Sequence, residues 1–427
     1  MDRIKDYSRR AISIVSTNTF KQSSLTFTAT LINGLLGMAF YIFLARVLGP
    51  SDFGLFALSV TVLALVADIG NLGINTGIVN FVSKYLESDK TRSQKYLKLG
   101  LYSKIVISLA FLILGYLLSP FISEGIFSKP ELITPLRLAF VGVGTTWMFS
   151  FATSYYQAVQ KFVSWGIVQI FTNFIRLAGV VIFYLLAKLS LNTSLIFYIV
   201  APLLGFLVSF INIPLSFTKE KLDKSLKKDF FGYNKWVAVS GGMSAFSSRA
   251  DTFILGRLVT PYSIGLYSAA NQLVQVVPQL IGAIGTVVAP KYASFDSDEK
   301  MLKYFKKLQY LVIGIAVGIL VCTPFVKIII NVFFGEEYRQ SFAIFMILLT
   351  SMLVFLISVP VHNAITYYYS YPKLFSVLSI VNFCIVVPLA YFLTLKYGVY
   401  STAYAVLTGN IINFIIPTVW FIRKIKH

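Results

Sequence analysis

Four charged residues lie some 13 to 15 positions inside long apolar stretches: Asp68, Arg176, Arg249 and Asp251. A charge at the centre of a bilayer costs about 2.5 to 3.5 kcal/mol on insertion scales, so each must face protein or water and marks a path for something polar. Their neighbours recur at helical spacing. Asp68, Asn71 and Asn75 stand at i, i+3, i+7, and Gln169, Asn173 and Arg176 at i, i+4, i+7. Gln272, Gln275 and Gln279 form a third stripe, Ser240, Ser244, Ser248 and Asp251 a fourth, and Thr26, Thr30 and Asn33 a fifth. Amides and hydroxyls donate and accept hydrogen bonds, an arginine forks onto phosphate or carboxylate, and a carboxylate takes a proton or a cation. Such stripes either hydrogen-bond between helices or line a hydrated cavity, and so many amides on adjacent helices favour the cavity. Arg249 and Asp251 are about 200° apart around a helix and cannot pair with each other. Each needs a partner elsewhere, and Asp68 or Arg176 could supply it.

The elements that must hold these groups follow from composition. Of 427 residues, 57% are hydrophobic and only 13% charged, where a soluble domain carries about 25% charged residues. Apolar runs of roughly 20 residues, each enough to cross ~30 Å of hydrocarbon, are expected at 22–45, 55–79, 100–119, 133–158, 163–187 and 193–217. The second half continues with 236–258, 265–289, 308–334, 341–369, 374–395 and 400–422. The expected fold is an all-α polytopic membrane protein of about 12 transmembrane helices. Its domains are an N-terminal lobe (1–217), a cytoplasmic linker (218–235) expected as an amphipathic surface helix, and a C-terminal lobe (236–427).

A repeat supports that division. The link RVLGPSDFGLF at 46–56 returns as RLVTPYSIGLY at 257–267, an offset of 211 residues, with Arg46, Pro50, Gly54 and Leu55 matched by Arg257, Pro261, Gly265 and Leu266. Each copy follows the first span of its half. Six spans per half put both copies on one side, as in a parallel duplication about an axis along the membrane normal.

Lysine and arginine fix the orientation, because cations are retained on the cytoplasmic side. With the N-terminus inside, 26 of the 37 fall in inner segments and six in outer loops. Both termini are then cytoplasmic, in a plasma-membrane protein with no cleaved signal peptide, and the +20 charge reflects topology rather than a nucleic-acid partner. Lys104, Arg137 and Lys327 lie near span ends and are expected to snorkel, as are Arg46 and Arg257 at the outer links. Tyr155, Tyr156 and the run Tyr367, Tyr368, Tyr369 and Tyr371 read as an interfacial aromatic belt. His362 is open to two readings, a titrating group or a structural hydrogen-bonder.

Absences narrow the chemistry. No phosphate-loop motif, no cysteine cluster and only two histidines are present, so no nucleotide motor, cofactor or metal site is expected. The external loops are too short to house an enzyme's catalytic machinery, and the chain is read as a non-enzyme.

Five segments together resemble the polysaccharide transporters, or oligosaccharide flippases, of the multidrug, oligosaccharidyl-lipid and polysaccharide exporter (MOP) superfamily. They are ARVLGPSDFGLF (45–56), ADIG (67–70), ADTFILG (250–256), IGLYSA (264–269) and VAPKY (288–292). The resemblance implies two six-helix lobes around a central cavity that opens alternately to either side. It further implies movement of a lipid-linked oligosaccharide, on a polyprenyl or dolichyl (pyro)phosphate, from the cytoplasmic to the outer leaflet. Membrane lipids and other polysaccharide-assembly proteins are the further partners. The cargo phosphate would meet Arg176 or Arg249, the sugars would meet the amide stripes, and Asp68, Asp251 or His362 are the candidates for ion coupling. Peptidoglycan-precursor flippases carry arginines within spans one, two and eight, which this chain lacks. A cation-coupled drug exporter is the alternative, with a non-transporting component of a glycan-synthesis complex as a third reading.

Overall fold

The computed structural model describes residues 18–426. The basic segment with Arg3, Lys5, Arg9 and Arg10, and the side chain of Ser240, lie outside the described residues. Within them the chain is helical and contains no strand. Ten helical stretches are long and apolar enough to cross a membrane, so this is an all-α, multi-pass membrane protein.

The first helix, α1 (Asn18–Gly70), contains two of the expected crossings. It folds back at Gly49, whose φ of 71° and ψ of 169° lie in a region that glycine enters without a Cβ penalty. Pro50 then opens the second arm, where its missing N–H costs nothing. Next come α2 (Ile74–Tyr85), α3 (Lys90–Pro120), α4 (Ile133–Ala158), α5 (Phe162–Leu185) and α6 (Leu191–Ser209). The expected seventh span is α7 (Lys224–Ser247) followed by α8 (Ala250–Leu258), interrupted at Ser248 and Arg249. Beyond it lie α9 (Pro261–Val274), α10 (Val276–Ala293), α11 (Asp298–Val321), α12 (Thr323–Ile329), α13 (Ser341–Asn363), α14 (Lys373–Tyr397) and α15 (Val399–Lys426).

Packing divides the chain into two compact units. The first comprises residues up to Phe40 together with Ser59–Phe246, and the second Tyr41–Leu58 together with Ser247 onward. Both copies of the repeated link thus fall in the second unit, for a reason visible in the backbone. A Cβ on Gly54 would collide with the carbonyl of Pro261, and one on Gly265 with the carbonyl of Pro50. The two copies cross at their matched glycines, each presenting its proline carbonyl to the other. Small residues permit such close approach in a medium with no hydrophobic drive between helices. Tyr338 closes the junction by donating its hydroxyl to the Ala45 carbonyl at 2.9 Å.

The first unit is knitted at one end by aromatic residues. Phe81 stacks on Tyr96 with centroids 4.6 Å apart, and Phe151, Tyr156, Phe217 and Phe230 are fully buried in the same cluster. Two expectations change here. The linker is not a continuous amphipathic helix: a 3-10 turn covers Leu215–Lys219, extended residues follow, and helix resumes at Lys224. Lys95 Nζ holds Asp223 at 2.9 Å, and Lys98 Nζ donates to the carbonyls of Thr218 and Glu220 at 2.6 and 2.8 Å. Tyr155 and Tyr156 are buried in the same aromatic cluster rather than interfacial. Tyr156 donates its hydroxyl to the Ser209 carbonyl at 2.9 Å.

Candidate functional site

A cavity of about 290 Å³ opens within the first unit, lined by Asp68, Thr146, Gln169, Asn173, Arg176 and Tyr198 among others. Helix α5 supplies three of these. It is unbroken from Phe162 to Leu185, so the i, i+4, i+7 spacing of Gln169, Asn173 and Arg176 does place them on one face. Asp68 comes from the last turn of α1, Thr146 from α4 and Tyr198 from α6.

Arg176 sits at the centre of the electrostatics. Its guanidinium lies 4.1 Å from the Tyr198 ring centroid and 5.7 Å from that of Phe40, an arrangement worth about 0.5 to 2 kcal/mol. One N–H donates to Asn173 Oδ1 at 3.2 Å, and Asn173 in turn donates to Asn33 Oδ1 at 3.0 Å. Among the described residues no carboxylate pairs with Arg176, and its Nε is buried without an acceptor. A buried donor left unmatched costs about 1 to 3 kcal/mol, more when charged. The side chain is therefore held in position by rings and one amide while its charge is left uncompensated. A cation fixed this way can pair with an anion, and the surrounding amides and Thr146 carry donors and acceptors for hydroxyl groups.

The remaining sequence candidates fall in different surroundings. Asn71 lies in a break between α1 and α2, where Leu72 and Gly73 have φ of 47° and 73°. The continuous helix that the Asp68, Asn71 and Asn75 stripe requires does not exist; Asn75 belongs to α2, with its Oδ1 buried and unbonded. In the second unit, Arg249 occupies the break between α7 and α8 with a non-helical ψ of 3°, and one N–H reaches Ser248 Oγ at 3.4 Å. Asp251, in the first turn of α8, is enclosed by its own neighbours: the Tyr267 hydroxyl donates to Oδ2 at 2.6 Å and the Thr252 amide to Oδ1 at 2.7 Å. Gln272 is half-buried on α9, Gln275 stands exposed where α9 gives way to α10, and Gln279 is exposed on α10. His362 Nε2 donates to the Asn413 carbonyl at 2.8 Å, with its ring packed 4.7 Å from Phe375 and 5.5 Å from Phe355. That supports the structural reading of the histidine.

Lys104, expected at a span end, is buried within the protein. Far from snorkelling, it is 1% exposed; its Nζ donates to Ser150 Oγ at 2.6 Å and to Asn71 Oδ1 at 3.4 Å. The apolar run begins near Gly100, which makes Lys104 look terminal, but α3 begins at Lys90 and carries it inside the unit.

With this geometry in place, comparison with known proteins identifies the family. The profile of the polysaccharide biosynthesis protein family matches residues 20–296. The chain belongs to that family. Among its relatives, the capsular polysaccharide biosynthesis protein CapF of Staphylococcus aureus is 20% identical over 410 residues, covering 92% of this chain and 97% of CapF. Two solved structures share the fold of this family member. An inward-facing multidrug resistance MATE family transporter of the MOP superfamily superposes with a TM-score of 0.73 at 14% identity, covering 92% of this chain and 94% of that one. The lipid II flippase MurJ, in an inward closed conformation, gives 0.72 at 16% identity, covering 94% and 87%. The polysaccharide biosynthesis protein described here therefore has a MATE- and MurJ-like transporter fold.

Proposed function

We propose that the protein is a flippase that moves a lipid-linked oligosaccharide from the cytoplasmic to the outer leaflet of the cell membrane by alternating access. The uncompensated Arg176 in a polar cavity carries this reading. The head group of such a cargo combines phosphate with hydroxyl-rich sugar, and the cavity pairs a fixed cation with amides, a hydroxyl and an aromatic face. Arg176 takes the phosphate, while Gln169, Asn173 and Asp68 meet the sugar. Membership in a polysaccharide biosynthesis family favours this cargo over drugs, and a charge bound at the membrane interior suits translocation better than scaffolding. The excess of lysine and arginine in the inner segments supports cytoplasmic termini. The expected outcome in proteoliposomes is transfer of a fluorescent polyprenyl-pyrophosphate oligosaccharide across the bilayer, slowed by Arg176→Ala. Transfer no faster than in protein-free liposomes, with wild-type protein folded and inserted, would overturn the proposal.

A further inference from the structure

Lys104 is a buried amine that the cavity does not use, and a hydrogen-bond chain leads from it to the cavity wall. Its Nζ donates to Ser150 Oγ at 2.6 Å, and Ser150 donates to the Trp147 carbonyl at 2.9 Å. The indole Nε1 of Trp147 donates to the Ala67 carbonyl at 2.7 Å. Ala67 precedes Asp68, and both line the cavity. From its other side Lys104 reaches Asn71 Oδ1, inside the break that ends α1. The lysine therefore grips the break directly through Asn71 and indirectly through α4.

The break itself is built for close contact. A Cβ on Gly70 would strike the Trp147 ring, and Phe111 meets that ring edge-on, with centroids 5.4 Å apart at 88°. The end of α1 therefore rests on the indole, and the lysine joins the helix that carries the indole through Ser150 and the Trp147 main-chain carbonyl. Among the described residues no carboxylate pairs with Lys104, which leaves the amine's interactions confined to the serine and the asparagine.

We propose that Lys104 is a positioning residue: through Ser150, Trp147 and Asn71 it clamps the break in the second span and so sets the place of Asp68 on the cavity wall. Without it, the last turn of α1 loosens and the cavity loses its shape, although no cargo atom touches the lysine. This role in transport rests on the flippase reading, whereas the clamp can be measured without any cargo.

The test uses full-length protein in which Trp165, Trp236 and Trp420 are replaced by phenylalanine, so that emission reports Trp147 alone. Acrylamide quenching of Trp147 is expected to rise several-fold in Lys104→Met and to return toward the parent in Lys104→Arg. Ser150→Ala, a smaller change that keeps the lysine, is expected to give an intermediate rise and carries the test if Lys104→Met fails to fold. In proteoliposomes, Lys104→Met should raise the cargo concentration for half-maximal transfer about tenfold, as a small misplacement of a binding group does. The maximal rate should change little, and Lys104→Arg should restore the affinity. Quenching equal to the parent in both Lys104→Met and Ser150→Ala would overturn the clamp. An intact clamp signature with unchanged half-saturation would overturn its positioning role. Absence of any wild-type transfer would count against the flippase reading and leave the quenching result to decide the clamp.

Discussion

Arg176 in the first unit and Asp251 in its counterpart are alike in the sequence, each a charge deep in a span with polar neighbours at helical spacing. Their surroundings differ in what is left over. Asp251 receives a tyrosine hydroxyl at 2.6 Å and a backbone amide at 2.7 Å, so its acceptors are met by residues 16 and one positions away. Arg176 receives two ring faces and one amide oxygen, and its Nε has nothing. A deep charge answered by its own unit holds helices together. One left unanswered beside open volume is available to a ligand. Depth alone does not separate the two; the count of satisfied hydrogen-bonding atoms does.

Substitutions at the two sites should therefore separate function from stability. The largest effect is expected at Arg176. Truncating a half-buried, hydrogen-bonded charge that meets a ligand charge costs about 2 to 5 kcal/mol, so Arg176→Ala should slow transfer by one to several orders of magnitude at near-normal thermal stability. Arg176→Lys, which keeps the charge without the planar fork, should recover part of it. Next in size is Gly54→Ala, where a methyl meets the Pro261 carbonyl; overpacking of this kind costs about 1 to 3 kcal/mol and should lower the unfolding temperature in detergent. Because Gly54 and Gly265 serve one contact, the double substitution should cost less than the sum of the singles. Tyr267→Phe removes the hydroxyl on Asp251 and should cost about 1 to 2 kcal/mol of stability with little change in transfer per folded molecule. The smallest effect is expected for His362→Gln, an uncharged donor able to reach the same carbonyl. It should leave the dependence of transfer on pH unchanged, and a shifted profile would return this histidine to the coupling candidates.

The contrast between the units also shows what a sequence can convey. Hydropathy marked the chain as a multi-pass, all-α membrane protein because chain length and bilayer thickness are linked by a fixed rise per residue. The repeated link was legible because its prolines and glycines recur at matched positions, and the crossing backbones at Gly54 and Gly265 need those glycines. Side-chain faces were legible only where a helix is continuous. Helix α5 is, and Gln169, Asn173 and Arg176 line one wall. The spacing of Asp68, Asn71 and Asn75 failed at Leu72 and Gly73, where positive φ resets the phase. Gln272, Gln275 and Gln279 likewise straddle the junction at Gln275. Lys104 was hidden for another reason. Charged turns at the start of α3 are docked on the linker through Lys95 and Lys98, so the hydropathy boundary and the helix boundary differ by about three turns. A hydropathy profile reports contact with lipid, not the start of a helix.

The comparison can be tested in one experiment by measuring initial transfer of a fluorescent lipid-linked oligosaccharide for Arg176→Ala and Tyr267→Phe, each normalised to folded, inserted protein. If the unanswered charge is the one that meets the cargo, Arg176→Ala should fall at least about thirtyfold, the lower end of the cost of losing such a contact. Tyr267→Phe should stay within about twofold of wild type, as a change confined to stability would. Equal rates for the two variants, or a loss confined to Tyr267→Phe, would contradict the assignment of the cargo's anionic group to Arg176.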